Sequence, residues 1–508
     1  MKINLPIVAD MHINQFSGAV ITELESGMTN GVFIADGKGG YVTQRPSFDM
    51  FEDASTHVSD ARGRAITYWD GNTSLYILNN GTLFKNSQSN PISTLPTSGT
   101  KKCKFVVLDT LLCLFDAENG QGFTITTGDV VTEITDVDFP PKQTPSVGLA
   151  FGAVVLDGYV FVLGENGVIY NSNLEVASAW AALDFLNAER EPDGGAYIGK
   201  HHDHVVVLGV RTTEFFYNQA NQAGSPLGRR QDVAYSTGCS AGESVWEIGD
   251  RMFFVGTNES GALGVYTLEN FQIRKVSTST IDSFLTQATV KEGYELMGSG
   301  LSAQGHVFYT LTLHSTPGNI LPEITLVFDD VSRLWGEWKT VLGGHSTLPL
   351  VDWTVRRGII SRYGEGVLSN GDLVTINDDL TPNDSLLEFS LVEDGIVEIG
   401  ILESNTGSGS PLTMKIRLGH FDGNTDNKKF LSELRPVCNK TVAPQNLIVR
   451  WASENNNSFS AGRVIDMSKF NRIKRIGCFR RRNHEIEYSG AEVIRLRRLE
   501  GQLSLGSS

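Results

Sequence analysis

The sequence predicts an all-β fold built from short antiparallel hairpins, because turn signals are frequent and helix signals are few. Eleven Asn-Gly or Asp-Gly pairs occur in the 508 residues, and this dipeptide favours the type I′ turn that joins two paired strands. β-branched and aromatic residues flank several of these turns, as in 74–78 before Asn80-Gly81. Only two segments, 176–189 and 280–291, have the composition of a helix.

The spacing of the hairpins indicates how the chain is divided. Between residues 58 and 380 they recur roughly every 40 to 50 residues, which is the length of a four-stranded blade. We therefore predict a β-propeller of about six or seven blades over residues 58–384. A series of β-sandwiches would show similar turns. Residues 1–57 are predicted to form an N-terminal arm, and residues 385–508, where apolar and charged residues alternate, a C-terminal antiparallel β domain.

The charge of the chain limits its function classes. Its net charge is −16, and an acidic protein does not bind nucleic acid over its whole surface by counterion release. The charge is uneven, because 463–498 contains eleven Lys or Arg and four Asp or Glu. That segment therefore carries +7, and the other 472 residues carry −23. Such asymmetry predicts different partners for different parts of the chain.

Cysteine usage and hydropathy point to synthesis in a reducing cytoplasm. The five cysteines show no CxxC spacing, which argues against both a disulfide framework and a zinc site. No apolar run approaches the roughly 18 residues of a membrane span, and the first residues do not form a secretory signal.

Motifs of several common enzyme classes are absent from the sequence. It contains no P-loop, HExxH or GxGxxG motif. The most metal-like cluster, 201–204 (HHDH), precedes a strand, and we interpret it as a polar turn that connects blades rather than as a zinc site. The acidic run at 189–193 could supply a carboxylate pair for glycoside hydrolysis, but acidic residues are common here. We predict no enzyme activity, metal or cofactor.

Two further features are interpreted as structural. Cys239 has no basic neighbour in the sequence that would lower its thiol pKa, so we predict a packed cysteine. Residues 451–459 resemble a degenerate Asp-box hairpin in which asparagine replaces most acidic and glycine positions. Asparagine tolerates the left-handed conformation, so the turn is retained.

A run of cations near the C-terminus is the clearest candidate site. It is predicted to form an assembly interface that contacts an acidic partner or DNA phosphate. The alternative is a solvated strand edge, where positive charge prevents unwanted pairing. The candidate residues are Lys469, Arg472, Lys474, Arg475, Arg480, Arg481 and Arg482.

Several segments, in their order and spacing, resemble one protein family. The central block contains Trp180, an acidic-aromatic pair at Asp184 and Phe185, a Pro-Asp turn at 192–193 and a Thr-Glu-aromatic strand at 213–217. Further matching segments are 45–48, 74–85, 238–245, 252–266, 273–278, 305–309, 327–338, 447–451 and 469–482. Across roughly residues 41–498, the chain resembles the packaged-DNA stabilisation protein of short-tailed bacteriophages, also called the tail hub or nozzle.

This resemblance implies a structural virion protein built around a β-propeller. It implies a ring, a homohexamer, that extends the channel below the portal and its adaptor ring. The ring would retain packaged DNA, carry tailspikes or tail fibres, meet a tail needle or plug, and pass double-stranded DNA without sequence-specific binding. The implied location is the virion tail, assembled in the host bacterial cytoplasm and without a membrane partner.

Charge is compatible with that role. An acidic lumen would repel phosphate, and the −23 outside the basic segment could supply it. The basic segment would then meet an acidic adaptor surface. Two other classes stay open. A carbohydrate-binding or carbohydrate-cleaving propeller for receptor recognition predicts an aromatic-lined pocket with converging carboxylates, and a propeller scaffold of a host cell predicts a stable monomer.

Overall fold

The computed structural model of the protein is almost entirely β. It describes the chain except for residues 1, 8–9, 14–23, 38, 47, 53–62, 98, 100, 189–192, 222, 291–293, 304, 316–323, 340–349, 355–356, 361–372, 377–396, 399–409, 455–457, 470–471, 491 and 507–508. The N-terminal strands are β1 (Lys2–Pro6), β2 (His12–Ile13), β3 (Leu24–Thr29), β4 (Gly31–Ile34), β5 (Tyr41–Gln44) and β6 (Phe48–Glu52). The all-β prediction is confirmed.

Seven antiparallel sheets follow one another along the described chain. Sheet one contains β7 (Gly63–Trp69), β8 (Ser74–Asn79), β9 (Thr82–Lys85) and β10 (Ser87–Thr94), and sheet two contains β11 (Lys104–Leu108), β12 (Leu111–Asp116), β13 (Gln121–Thr126) and β14 (Val131–Glu133). Sheet three contains β15 (Val154–Leu156), β16 (Tyr159–Leu163), β17 (Val168–Asn173) and β18 (Val176–Asn187), and sheet four contains β19 (Gly195–His201), β20 (His204–Gly209), β21 (Thr213–Asn218) and β22 (Leu227–Tyr235).

The remaining sheets of this series follow a similar plan. Sheet five contains β23 (Gly238–Cys239), β24 (Trp246–Ile248), β25 (Arg251–Thr257), β26 (Leu263–Glu269) and β27 (Gln272–Lys275), and the helix α1 (Ser279–Val290) follows it. Sheet six contains β28 (Tyr294–Ala303), β29 (His306–Ser315), β30 (Ile324–Asp329) and β31 (Leu334–Glu337). Sheet seven contains β32 (Leu350–Thr354), β33 (Arg357–Ile360) and β34 (Leu373–Ile376), and β6 is its fourth strand.

The seven sheets contact one another in chain order and close into a ring. Sheets one to four touch through their first strands, β20 touches β23, β24 touches β28, and β28 touches β32. The ring is completed because β32 also touches β7 of sheet one. Separate clusters of buried apolar side chains fill the spaces between neighbouring sheets. This arrangement is consistent with the predicted β-propeller, each sheet being one blade.

Seven of the nine C-terminal strands form two sheets around a separate core, and the first two of the nine pair with each other in a small third sheet. The nine strands are β35 (Val397–Glu398), β36 (Ser410–Pro411), β37 (Met414–Arg417), β38 (Lys429–Val437), β39 (Asn446–Ser453), β40 (Arg463–Asp466), β41 (Ile473–Phe479), β42 (Arg482–Tyr488) and β43 (Arg498–Leu505). One sheet has the order β1-β43-β38-β41, and the other continues from sheet six as β3-β37-β42-β39-β40. Their inward side chains, such as Leu434, Leu447 and Ile486, share one cluster.

The N-terminal strands join these two parts of the molecule. Strand β6 pairs with β34 and completes sheet seven, whereas β1 pairs with β43 in the C-terminal part. Strand β3 lies between β31 and β37 and pairs with both. Residues 1–57 therefore contribute paired strands where the sequence predicts an extended arm. The boundaries at residues 57 and 384 stay predictions.

The two helix predictions had different outcomes. The prediction for 280–291 is confirmed by α1, whereas the one for 176–189 is wrong because Val176–Asn187 is the outer strand of sheet three. Ala177 and Trp180 pack into the core between sheets two and three. Tertiary packing has overridden local helix propensity here.

The Asp-Gly pair at 157–158 forms the predicted hairpin turn between β15 and β16. Asp157 and Gly158 have φ values of 49° and 83°, as a type I′ turn requires at both central positions. A β-carbon on Gly158 would lie 2.9 Å from the side chain of Leu174. This turn therefore needs glycine for its backbone and for its packing.

Arg45 and Asn30 form a buried polar node where three parts of the chain meet. The Arg45 guanidinium donates to Asn30 Oδ1 at 3.0 Å and to the Lys339 carbonyl at 2.5 Å. Asn30 in turn donates from Nδ2 to the Thr413 carbonyl at 3.1 Å. The guanidinium also lies over the Trp338 ring. The node links the N-terminal segment to the end of sheet six and to the C-terminal part.

Arg45→Ala is expected to lower the free energy of unfolding by about 2–4 kcal/mol, because it removes a buried guanidinium that donates to Asn30 Oδ1 and to the carbonyls of Pro46 and Lys339. Denaturant unfolding of the full chain measures this. Arg274→Ala, in the exposed strand β27, is the matched control and should change stability by about 0.5 kcal/mol or less. Equal small effects of both variants would contradict a central role for the node.

Candidate assembly surface and central cavity

The predicted cationic site lies on the edge of a C-terminal sheet. Strand β41 is the last strand in the order β1-β43-β38-β41. A register shift in β38 between Leu431 and Glu433 faces β41, and Arg475 has a positive φ of 58° there. A bulged strand with outward cations is a common way to protect a sheet edge from unwanted pairing.

Arg482 is part of the core rather than of the surface. Its residue is 2% exposed, and its guanidinium donates to Ser453 Oγ and to the carbonyls of Ile476 and Cys478. It also stacks over Phe479. Burial lowers the pKa of Arg482 to about 10. The structure thus separates Arg482 from the other candidate residues.

Three of the remaining cations are held by nearby carboxylates. Lys469 lies 3.0 Å from Asp466, and Arg472 lies 2.9 Å from Glu433. Arg481 approaches Asp426 more loosely at 3.8 Å. Ion pairs of this exposed kind stabilise a protein by less than about 1 kcal/mol. Their charges are nevertheless locally compensated.

Lys474, Arg475 and Arg480 form the uncompensated part of the cationic site. All three are exposed, and none has a carboxylate within ion-pair distance among the described residues. The Arg480 guanidinium donates to the backbone carbonyl of Asp426, and the Arg480 amide donates to Glu454 Oε1. These three side chains are the ones available to an acidic partner.

The 201–204 cluster is a hairpin turn inside sheet four, not a connection between blades as expected. His202 has a φ of 52° between β19 and β20. His201 is buried, and its Nε2 accepts the amide hydrogen of Phe271. Burial lowers its pKa to about 4. Over the described ranges, no group of three or more His, Cys, Asp or Glu side chains is placed to hold a metal.

Two other predicted positions have structural surroundings. Asp193 accepts the amide hydrogens of Arg211 and Thr212 and so holds a turn, while residues 189–191 lie outside the described residues. Cys239 is fully buried, and burial raises its thiol pKa to about 12. The prediction of a packed cysteine is confirmed.

A cavity of about 200 Å³ lies at the centre of the ring of sheets. Its lining is Ile66, Thr67, Lys102, Cys103, Lys104, Phe105, Phe151, Tyr197, Val245, Trp246, Glu247, Asp352 and Thr354. The lining combines aromatic rings with two carboxylates, as a carbohydrate pocket would. Its volume is below the roughly 300–1,000 Å³ of ordinary ligand pockets.

Both carboxylates of the cavity hold neighbouring sheets together. Asp352 of sheet seven accepts the amide hydrogen of Ile66 in sheet one at 2.9 Å. Glu247 of sheet five accepts the amide hydrogen of Lys200 in sheet four at 3.1 Å and lies 3.6 Å from the Lys104 ammonium. They satisfy backbone groups that inner strands turn toward the ring axis.

Lys102 crosses the centre of the ring. Its backbone precedes sheet two, but its Nζ donates to the Gly298 carbonyl of sheet six at 2.8 Å. The ammonium lies within 5.5 Å of the Phe151 and Trp246 ring centres. Burial lowers its pKa to about 8. Sequence reasoning missed this residue because Lys101, Lys102 and Lys104 look alike as a charged flank of a strand.

Glu243 is a further carboxyl group close to Lys102. Its Oε2 accepts the Lys102 amide hydrogen at 3.3 Å, and burial raises its pKa to about 7. The Lys102 amide bonds Glu243, and the Lys102 side chain bonds the Gly298 carbonyl of sheet six. These two hydrogen bonds connect the start of sheet two to the far side of the ring across its centre.

No helix in the part of the chain that the structure describes is long and apolar enough to cross a membrane.

Comparison with known proteins gives one family match. The family model described as "Phage_stabilise: Bacteriophage P22 Gp10, beta-propeller" matches residues 5–343, which include sheets one to six. No curated protein matches the chain.

Among solved structures, the chain is similar to a streptogramin B lyase, with 10% identity, a TM-score of 0.38, and coverage of 65% of this chain and 98% of that one. It is also similar to the computationally designed Ika8 protein, with 8% identity, a TM-score of 0.34, and coverage of 73% and 100%. Both similarities are too distant to inform fold or function.

The contribution of Lys102 to the stability of the protein should rise with pH between about 8 and 10.5. Across that window the unfolded chain keeps a proton on this amine that the folded protein has released, so this contribution to the free energy of unfolding rises by roughly 3 kcal/mol in total. Buried thiols such as Cys239, whose pKa is raised, change stability in the opposite direction, so the contribution of Lys102 is the difference between the wild type and Lys102→Met. Denaturant unfolding at several pH values should show this rise in the wild type relative to Lys102→Met. Lys104→Met is the control and should keep it. A rise that persists in Lys102→Met would assign it to another group.

Arg482 and Lys474 should respond differently to truncation. Arg482→Ala is expected to cost about 2–4 kcal/mol of unfolding free energy, because the buried guanidinium is removed and three acceptors lose their donor. Lys474→Ala should stay within about 0.5 kcal/mol, since its side chain is exposed. Thermal or denaturant unfolding of both variants checks the division. If Arg482→Ala unfolds with the same free energy as the wild type, Arg482 is not a core residue and belongs with the exposed cations.

Proposed function

Because the chain belongs to the phage stabilisation family of P22 Gp10-type β-propeller proteins, we propose that it is a structural tail protein, a hub or nozzle. In this role it extends the channel below the portal and its adaptor ring and retains packaged DNA. It also carries tailspikes or fibres, meets a tail needle or plug, and conducts DNA during ejection. The family match over residues 5–343 is the observation that carries the proposal.

The closed ring of sheets suits a mechanical role. Sheet seven contacts sheet one, and the N-terminal strands bind the ring to the C-terminal sheets. Such a body resists deformation because its first and last sheets are joined. Rigidity is what a mount for spikes or fibres requires.

DNA would pass between copies rather than through the centre of one copy. The central cavity measures about 200 Å³ and is crossed by Lys102, so it cannot admit a duplex. A channel formed by several copies around an axis is the arrangement that fits, and we propose a homohexamer. The charge of −23 outside the basic segment would repel phosphate along that channel.

The uncompensated cations serve assembly in this proposal. Lys474, Arg475 and Arg480 are exposed and lie on one edge strand or directly after it. In an acidic protein that conducts DNA, a small cationic site is better used on an acidic protein surface than on the duplex. The adaptor ring and a second copy of the chain are the two candidates for that surface.

A carbohydrate-specific propeller is the second candidate function, since the cavity combines aromatic rings with two carboxylates. The contacts of Glu247 and Asp352 weaken it, because each carboxylate already accepts a backbone amide hydrogen. In our proposal the cavity stabilises the scaffold and no catalysis takes place there. Glycan binding by the isolated chain would favour the second candidate.

Native mass spectrometry of the full chain, alone and mixed with its portal-adaptor ring, tests the proposal. We expect association into a six-copy ring, at least on the adaptor, because tail rings are built from contacts that close by rotation. A chain that stays monomeric under both conditions would contradict the tail role. Bovine serum albumin at equal concentration is the control for non-specific adducts.

A further inference from the structure

The outer rim of the ring carries an apolar patch with acidic neighbours. Val137, Leu183 and Phe185 are exposed, and Leu183 is 77% exposed. Exposed large apolar side chains that cluster with charged neighbours often mark a binding surface. We call this surface the rim patch and define it as Asp136, Val137, Asp138, Leu183, Asp184 and Phe185.

Two distant segments are held together to make the rim patch. Asp136 Oδ2 accepts the amide hydrogen of Trp180 at 3.1 Å, and the Trp180 ring lies 5.1 Å from the Phe139 ring. In β18, residues 181–184 stand opposite Asn171 alone, since Trp180 pairs with Ser172 and Phe185 with Tyr170. The bulge pushes Leu183 out of the sheet.

The acids of the rim patch lack cationic partners among the described residues. Asp136 accepts two backbone amide hydrogens, from Asp138 and Trp180. No ion pair involves Asp138 or Asp184 over the same ranges. The rim patch is therefore an apolar centre beside three uncompensated carboxylates.

The cationic edge of the C-terminal sheets has the opposite charge and a similar composition. Phe430 and Val464 are exposed beside it. Phe430 pairs across the sheet with Cys478 of β41, and the Arg463 guanidinium donates to the Lys474 carbonyl. We define the basic patch as Phe430, Val464, Lys474, Arg475 and Arg480, which gives it three uncompensated cations.

The two patches lie in different parts of the molecule. Phe430, Lys474 and Arg475 belong to the sheet β1-β43-β38-β41, whereas Val464 is in the sheet that continues from sheet six through β3. The rim patch lies where sheets two and three of the ring meet. The two patches are therefore separate surfaces of one copy, and each can contact a different neighbour.

We infer that the rim patch of one copy binds the basic patch of the next copy. The charges match three to three, and each patch has an exposed apolar centre. A contact between two different surfaces continues from copy to copy and forms a ring where its rotation closes. This inference rests on the proposed ring and names the acidic partner of the cationic edge.

Reciprocal charge reversal in the full chain tests the inference by native mass spectrometry and sedimentation. Asp184→Arg and Lys474→Glu should each weaken association of copies by roughly tenfold or more, because like charges then face each other. The double variant should recover association, and so should an equal mixture of the two single variants. Recovery of this kind cannot come from misfolding.

Matched controls are reversals of exposed charges elsewhere. Glu259→Arg, in the turn between β25 and β26, and Arg274→Glu in β27 should leave association unchanged. Leu183→Ser should weaken association while Val331→Ser, which removes another exposed apolar side chain, should not.

Three results would overturn the inference. If Lys474→Glu abolishes capture by the adaptor ring but not association of copies, the basic patch binds the adaptor, and the proposed function stands. If both single variants fail and the double variant is not rescued, the two patches do not meet. If the wild type never associates, alone or on the adaptor, the inference and the proposed function fail together.

Discussion

Closure of the seven-sheet ring is the constraint on which the rest of the structure depends. The last sheet of the ring, at residues 350–376, obtains its fourth strand from β6 near the N-terminus. The chain must therefore return to its start before the ring is complete, and β32 can then contact β7. This non-local pairing removes the open ends that a linear series of sheets would leave.

Ring closure also explains the polar centre of the molecule. Inner strands bring backbone amides close to the axis, and each must find an acceptor there. Asp352 and Glu247 supply acceptors between neighbouring sheets, and Lys102 reaches a carbonyl across the axis. A cluster that resembles a binding pocket by composition is thus explained by its hydrogen bonds. Composition alone would not have separated the two explanations.

Local features were the ones that sequence could predict. The Asp157-Gly158 turn and the helix α1 depend on a few adjacent residues. The strand β18 was mistaken for a helix because Trp180 is placed by a core between two sheets, not by its neighbours in sequence. Likewise, the pairing of β1 with β43 joins the two ends of the chain, and no local pattern encodes it.

The same limit applies to the cationic site, and it changes how the charge of the chain should be interpreted. Sequence places seven candidate cations together, but Arg482 is buried and three others have carboxylate partners. Only the remaining three can attract a partner over a distance, because a compensated pair has little field beyond the Debye length of about 8 Å. The rim patch likewise has three carboxylates without a cationic partner among the described residues. In the proposed ring, assembly would thus depend on a few uncompensated charges beside apolar side chains, while the general negative charge would keep the proposed DNA path free.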